Sequence, residues 1–210
     1  MRRTALLLVS ACALALAPGD AAAQRAASRT RYDPIFRKYS KRFFGPAFDW
    51  QYFKAQGLAE SGLDPGARSR VGARGVMQLM PGTYDLIRKN RRERMGSITD
   101  PEWNIAAAIL HDRDLWLSMH DNPTFEERVR FMFGSYNAGE GPIARARQAA
   151  RAEQLDEHRW QSIEHVAPMV PNWRYRETLP YVQKIENTHQ QLAQEPRKAN
   201  VHKRDNGGKP

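Results

Sequence analysis

The chain carries one cysteine, Cys12, in 210 residues. That count excludes a disulfide within the chain and a zinc site built from cysteines. No stretch alternates apolar and polar residues for long enough to make a strand. There are no internal repeats. The motif H-E-x-x-H is absent, and His111, His120, His158, His165, His189 and His202 are scattered. Each reads as a surface or core side chain rather than a metal ligand. No G-x-S-x-G elbow is present, although composition alone does not exclude a Ser/His/Asp arrangement. Walker and G-x-G-x-x-G patterns are missing too, which argues against a bound nucleotide. Nothing calls for a cofactor or a metal.

What is present is a globular composition, 41% hydrophobic and 27% charged. The length suits one domain with a real core. The formal net charge is +10. That excess favours a polyanionic partner: nucleic acid, an anionic membrane or an acidic cell-wall polymer. The first residues narrow the choice. Met1, Arg2 and Arg3 are basic, Thr4 to Ala17 is apolar, Pro18-Gly19-Asp20 breaks the run, and Ala21-Ala22-Ala23 is small. This is the order of a secretory signal peptide, residues 1–23, cut after Ala23. The run is shorter than the roughly 20 residues that a spanning helix needs. A second reading is a lipoprotein signal at Val9-Ser10-Ala11-Cys12, which would anchor the chain to the outer membrane. Against it, the apolar run continues well past Cys12. Both readings take the chain to the periplasm and away from nucleic acid.

The remainder reads as short helices. Residues 24–47 form a leader and a helix in which Phe36, Tyr39 and Phe43 share a face. Phe48 to Ala59 is a second helix, stopped by Gly62, Pro65 and Gly66. Arg68 to Gly75 is loop and Val76 to Met80 a short apolar segment. Thr83 caps a helix to about Asn90, and Arg88 to Arg94 is a solvated charge run. Asp100-Pro101 starts a helix to about Met119. Thr124 and Glu127 form a capping box, and that helix ends at Gly139. Pro142 opens a helix basic through Arg145, Arg147 and Arg151. Ser162 to Ala167 is a short helical piece. Glu177 opens the last helix, with Pro180 tolerable only in its first turn. Residues 48–194 make one domain, and 195–210 read as a disordered basic tail. The fold class is mainly α, with at most a small β-ribbon near Val76 to Met80.

The chemistry falls to carboxylates. Glu60 follows Ala55, Leu58 and Ala59 and precedes a forced turn, so it belongs at the rim of an apolar cleft. Partial desolvation there raises a carboxyl pKa toward the range of a general acid. Read alone, it could equally be a solvated helix-end glutamate. Gln78 lies in the apolar run Val76-Met77-Gln78-Leu79-Met80, where its amide must find partners. Tyr136 and Asn137 stand at a helix-ending turn, and Tyr181 in the last helix. Each alone could be plain packing. Asp64 precedes Pro65 and shapes the turn.

Three segments together carry a resemblance. E-S-G-L-D-P-G-A-R-S-R-V-G-A-R-G-V-M-Q-L-M-P-G-T resembles the signature of soluble lytic transglycosylases of the goose-type-lysozyme-like fold. F-G-S-Y-N-A-G-E-G-P resembles that family's A-Y-N-A-G motif, and E-T-L-P-Y-V-Q-K-I its closing E-T-x-x-Y-V motif. D-P-E-W-N-I-A-A-A-I-L and the closing motif look most like the catalytic domain of membrane-bound lytic transglycosylase F. The likeness covers about Phe48 to Leu192, too short for that type's accessory solute-binding module. It implies that Glu60 is the catalytic acid/base and that Ser69, Gln78, Met80, Tyr136, Asn137 and Tyr181 bind the substrate. Glu177 would stand behind them, paired with an arginine. The chain departs from the pattern at Gly134 and Ser135, where small apolar residues are commoner. The implied reaction is non-hydrolytic cleavage of the β-1,4 bond between N-acetylmuramic acid and N-acetylglucosamine in peptidoglycan glycan strands, leaving a 1,6-anhydromuramoyl end. A lysozyme-like hydrolase and a non-catalytic wall-binding module are the alternatives.

Overall fold

The computed structural model describes residues 29–89, 95–121 and 124–205, without the side chains of 195–205. The signal-peptide and lipobox readings, and the end of the Arg88–Arg94 charge run, lie outside these residues. Residues 29–32 belong to a separate unit, helical at 29–30 and turning at 31–32. The larger unit begins at Asp33 and is mainly α, as expected. Among the described residues, no helix is long and apolar enough to cross a membrane.

Helix α1 (Asp33–Phe44) buries Phe36 and Tyr39 as their spacing predicts. Its partner is α4 (Pro101–Ser118). Tyr39 donates to Glu102 Oε1 at 3.0 Å, Lys38 pairs with the same oxygen at 2.7 Å, and Arg113 Nε donates to the Phe43 carbonyl. A domain boundary before Phe48 is therefore too late. The aromatic face of α1 is part of the core, because leaving Phe36 in water would forfeit about 2 kcal/mol of burial.

Helix α2 (Gln51–Ser61) starts three residues after Phe48, where Asp49 Oδ1 accepts from the Gln51 N–H at 3.0 Å. Residues Phe53 to Gly57 are buried in unbroken succession. A helix buried on every side is central, and α2 lies between α1 and the last helix. Its end at Gly62, in the left-handed region at φ 67°, falls where the sequence placed it.

Helix α3 (Pro81–Lys89) begins at Pro81, so Thr83 is inside its first turn rather than its cap. Proline already has the helical φ and no N–H to waste there. Helix α4 is capped as expected: Asp100 Oδ1 accepts from Glu102 N at 2.9 Å and Trp103 N at 3.2 Å. Helix α5 (Phe125–Ala138) has half its predicted capping box. Thr124 Oγ1 accepts from Glu127 N at 3.2 Å, but the Glu127 carboxylate turns inward. It accepts from Trp160 N at 2.6 Å and from Arg130.

Gly139 ends α5 and immediately opens α6 (Glu140–Ala152), which therefore starts before Pro142. Helix α7 (Trp160–Val166) leads into a 3-10 turn, Ala167–Met169. Trp160 explains the departure at Gly134, since a Cβ there would lie 2.4 Å from the indole. Helix α8 (Tyr175–Asp205) starts two residues before Glu177. Pro180 is consequently its sixth residue, past the first turn, and removes the donor for the Arg176 carbonyl. The helix also continues beyond Gln194, where a disordered tail was expected. The helix runs through Pro196, which has no N–H for the Leu192 carbonyl. That carbonyl accepts instead from Gln51 Nε2 at 3.4 Å, and the glycine-free residues on either side extend the helix by one hydrogen bond each.

The only β pairing among the described residues is two isolated bridges, Arg68 with Arg74 and Arg74 with Leu79. They stiffen the segment between α2 and α3, which forms one wall of the site.

Candidate active site

Glu60 is the penultimate residue of α2. The helix brings it up from the core and Gly62 turns the chain away. Helix α8 packs along α2 and places Tyr181 opposite, its hydroxyl donating to Glu60 Oε1 at 2.6 Å. Burial pushes the Glu60 carboxyl up to about 7. The Tyr181 hydrogen bond and the nearby Lys184 ammonium pull the other way, and the Glu177 charge adds a smaller upward push. Burial wins because an anion loses more in leaving water than one neutral donor returns. Burial also pushes the Tyr181 hydroxyl well up, and the Glu60 charge reinforces it. The tyrosine therefore stays a donor. Lys184 is held by the Ala59 carbonyl at 3.0 Å.

The loop wall is a small network. Ser61 Oγ donates to the Val76 carbonyl at 2.7 Å, tying the residue after Glu60 to the far side of the loop. Asp64 Oδ1 accepts from Gly66 N at 2.8 Å, the turn-shaping role expected of it. Ser69 braces the loop from inside, its Oγ accepting from Ala73 N at 3.0 Å. Gln78 is half-buried, with a positive φ of 46°. Its Nε2 donates to the Gly75 carbonyl at 2.9 Å and the Ala67 carbonyl at 3.2 Å. Both amide hydrogens thus hold backbone. Met80 is exposed at the entry to α3.

Asn104, in the first turns of α4, is the hub behind this wall. Its Oδ1 accepts from Met77 N at 2.8 Å, and its Nδ2 donates to the Arg74 and Ile98 carbonyls, each at 3.0 Å. Gly75 must be glycine for two reasons: φ is +75°, and a Cβ would lie 2.7 Å from the Asn104 amide. From α5, Tyr136 donates to the Met77 carbonyl at 2.8 Å and locks the same segment. Burial pushes its hydroxyl well up, with Glu60 and Asp112 adding to it.

Asn137 faces α8 rather than Glu60. Its Oδ1 accepts from Thr178 Oγ1 at 2.9 Å, and that hydroxyl accepts from Trp173 Nε1 at 3.1 Å. Asn137, Trp173, Thr178 and Glu177 line a recess of about 130 Å³. Glu177 is exposed, pairs with Arg174 at 2.7 Å, and reaches Glu60 only through its field.

The fold therefore brings Tyr181 and Tyr136 to Glu60, and Tyr136 also binds the backbone of Met77, next to Gln78 in the loop wall. Asn137 and Glu177 lie around the adjoining recess, and Ser69 and Met80 on the loop. Sequence reasoning missed Asn104, Ser61, Thr178 and Lys184. Only Ser61 carried a usable signal, as a hydroxyl directly after the helix-end glutamate. Among the described residues, no group of three His, Cys, Asp or Glu could hold a metal ion. The arrangement can deliver one proton near neutral pH and take it back, with a tyrosine donor on the carboxylate it leaves.

Comparison with known proteins bears on the family and the fold. Residues 40–158, more than half the chain, match the family model described as the transglycosylase SLT domain. The membrane-bound lytic murein transglycosylase F of Desulfosudis oleivorans is 34% identical over 148 residues, 69% of this chain and 30% of that protein. Its counterpart in Maricaulis maris is 31% identical over 134 residues, 64% of this chain and 28% of that protein. The chain thus spans under a third of the length of these relatives. The 70 kDa soluble lytic transglycosylase of Escherichia coli superposes with a TM-score of 0.57 at 25% identity, covering 75% of this chain and 23% of that one. This chain belongs to the transglycosylase SLT domain family.

Proposed function

We propose that this chain is a periplasmic lytic transglycosylase of peptidoglycan, with Glu60 alone as its acid and base. The observation that carries the reading is a carboxyl with a pKa of about 7, bonded at 2.6 Å by a tyrosine. Protonated, Glu60 gives its proton to the glycosidic oxygen between N-acetylmuramic acid and N-acetylglucosamine. The substrate's N-acetyl group steadies the cationic carbon. Glu60, now an anion held by Tyr181, takes the proton of the muramoyl C6 hydroxyl as that oxygen attacks. The product is a 1,6-anhydromuramoyl end, and no water is consumed. A tethered nucleophile spares the entropy of recruiting one from solvent.

A hydrolase of the two-carboxylate kind would need a second carboxylate free to activate water. The carboxyls that share a field with Glu60 do not suit. Glu177 is exposed and paired with Arg174, and Asp112 is fully buried. The formal charge of +10 suits a wall polymer bearing peptide carboxylates. The relatives' names place them at a membrane, and the signal-peptide reading of residues 1–23 takes this chain to the same compartment as the wall. Ser69, Gln78, Met80, Tyr136 and Asn137 would contact the glycan or fix the surfaces that do.

The test is mass spectrometry of muropeptides released from purified peptidoglycan. Anhydro ends from the wild type and none from Glu60→Gln support the proposal. Reducing ends that incorporate labelled water would make the protein a hydrolase. Binding without release by either would leave a wall-binding module.

A further inference from the structure

One turn below Glu60, α2 carries Gln56, and opposite it α4 carries Asp112. Neither has any exposed surface. Gln56 Nε2 donates to Asp112 Oδ1 at 3.3 Å. The other two oxygens of the pair, Gln56 Oε1 and Asp112 Oδ2, are buried without a hydrogen-bond partner. An ionised Asp112 has no proton to offer, so both oxygens would remain unsatisfied acceptors. It would also be a buried charge without compensation, since no cation pairs with it among the described residues. A single proton on Oδ2 resolves all three costs. It can donate to Gln56 Oε1 and close an acid–amide ring with two hydrogen bonds.

We propose that Asp112 is a permanently neutral carboxylic acid, ringed with the Gln56 carboxamide, and that this ring is a positioning device for Glu60. Gln56 and Glu60 are four residues apart and share one face of α2. Fixing the Gln56 side chain to α4 therefore fixes the height and rotation at which Glu60 meets Tyr181. The titratable groups that share a field with Asp112 are Glu60 on α2, Tyr136 on α5 and Tyr181 on α8. None is a cation. Burial pushes the Asp112 carboxyl well up, the Gln56 hydrogen bond opposes this, and the Glu60 charge reinforces it. Once Glu60 has given up its proton, Asp112 is held to its own more firmly. The pair can therefore cycle one proton without a second buried anion forming.

This inference rests on the catalytic reading only for its kinetic arm. The first measurement is infrared spectroscopy of the protein at about pH 8, above the titration of Glu60. A protonated-carboxyl carbonyl stretch is expected in the wild type and in Glu60→Gln, and its loss in Asp112→Asn. No such band at that pH overturns the proposal. If the band is present but no muropeptide is ever released, the catalytic reading fails and the neutral acid stands. The kinetic arm compares two variants. Asp112→Leu strands the Gln56 amide and should lower kcat about tenfold with little change in KM. Asp112→Asn can rebuild the ring as an amide–amide pair and should rescue most of that loss without moving the alkaline limb of the pH profile. An alkaline limb moved to lower pH in Asp112→Asn would show that a neighbouring anion had been removed, and would overturn the proposal. Should Asp112→Leu fail to fold, the band and the pH profile of Asp112→Asn decide the matter.

Discussion

At its N-terminal end α2 runs into aromatic rings, and about three turns on, at its C-terminal end, into hydrogen bonds. The first region packs Phe44, Phe48, Phe53, Trp116 and Phe125 at centroid distances from 4.4 to 6.1 Å. Tyr52 continues it by stacking on His189 at 3.7 Å. The second region has the Asn104 hub, the braced loop and Glu60. One end of the helix stabilises the fold and the other holds a carboxyl that burial disfavours as an anion. A protein can hold such a group in place only if the rest of its structure over-determines the site.

Breaking the aromatic end should have the largest effect on stability. Phe53→Ala removes a fully buried ring and should cost about 3–5 kcal/mol in urea denaturation. The Glu60 titration should be unmoved in the protein that stays folded. Breaking the hub should come next. Asn104→Ala strands the Met77 N–H and two carbonyls and should cost about 2–3 kcal/mol. Hydrogen exchange at Met77 should rise well before global unfolding.

Relieving the buried carboxyl should have the opposite sign. Unfolded Glu60 releases its proton near 4.5 and folded Glu60 near 7. Between these values the folded state holds the extra proton, so stability falls as pH rises and the loss is complete above about 7. Glu60→Gln does not titrate. It should match the wild type at about pH 4 and be more stable by about 1–3 kcal/mol at about pH 8, discounted for the part of the side chain that meets solvent. Equal stability at the higher pH would mean that the site is not dry. The smallest structural change is Tyr181→Phe. Losing the donor removes the hydrogen bond that favours the Glu60 anion, so the alkaline limb of kcat/KM should move to higher pH. The rate should also fall by about tenfold, because the anion formed in the first step is less well held.

The helices were legible because most of their apolar faces repeat at helical spacing and their ends carry Asp100, Thr124, Gly62 and Gly139. Starts were less legible where two signals competed. Pro81 opens α3 ahead of Thr83, and Gly139 opens α6 ahead of Pro142. Glu60 could be singled out because it closes an apolar run just before a forced turn. Asn104 could not, because its three partners are backbone atoms six to thirty residues away and no periodicity marks them. No apolar repeat in the sequence marks Lys54 and Gln56 as core positions of α2. They are interior, Lys54 paired with Asp33 at 2.8 Å and Gln56 with Asp112, because α2 is covered on every side. Asp112 stands in the charged run H-D-R-D, and only its hydrogen bond to Gln56 of α2 and its complete burial distinguish it from its neighbours.

The central claim is that burial, opposed by Tyr181 and Lys184, poises Glu60 as an acid near neutral pH. The direct measurement is a carbon-13 titration of the Glu60 carboxyl in the folded protein, assigned by its absence in Glu60→Gln. A midpoint at about 7 is predicted. A midpoint near the ordinary 4.5 would show a solvated helix-end glutamate, and the single acid/base mechanism would lose its proton donor.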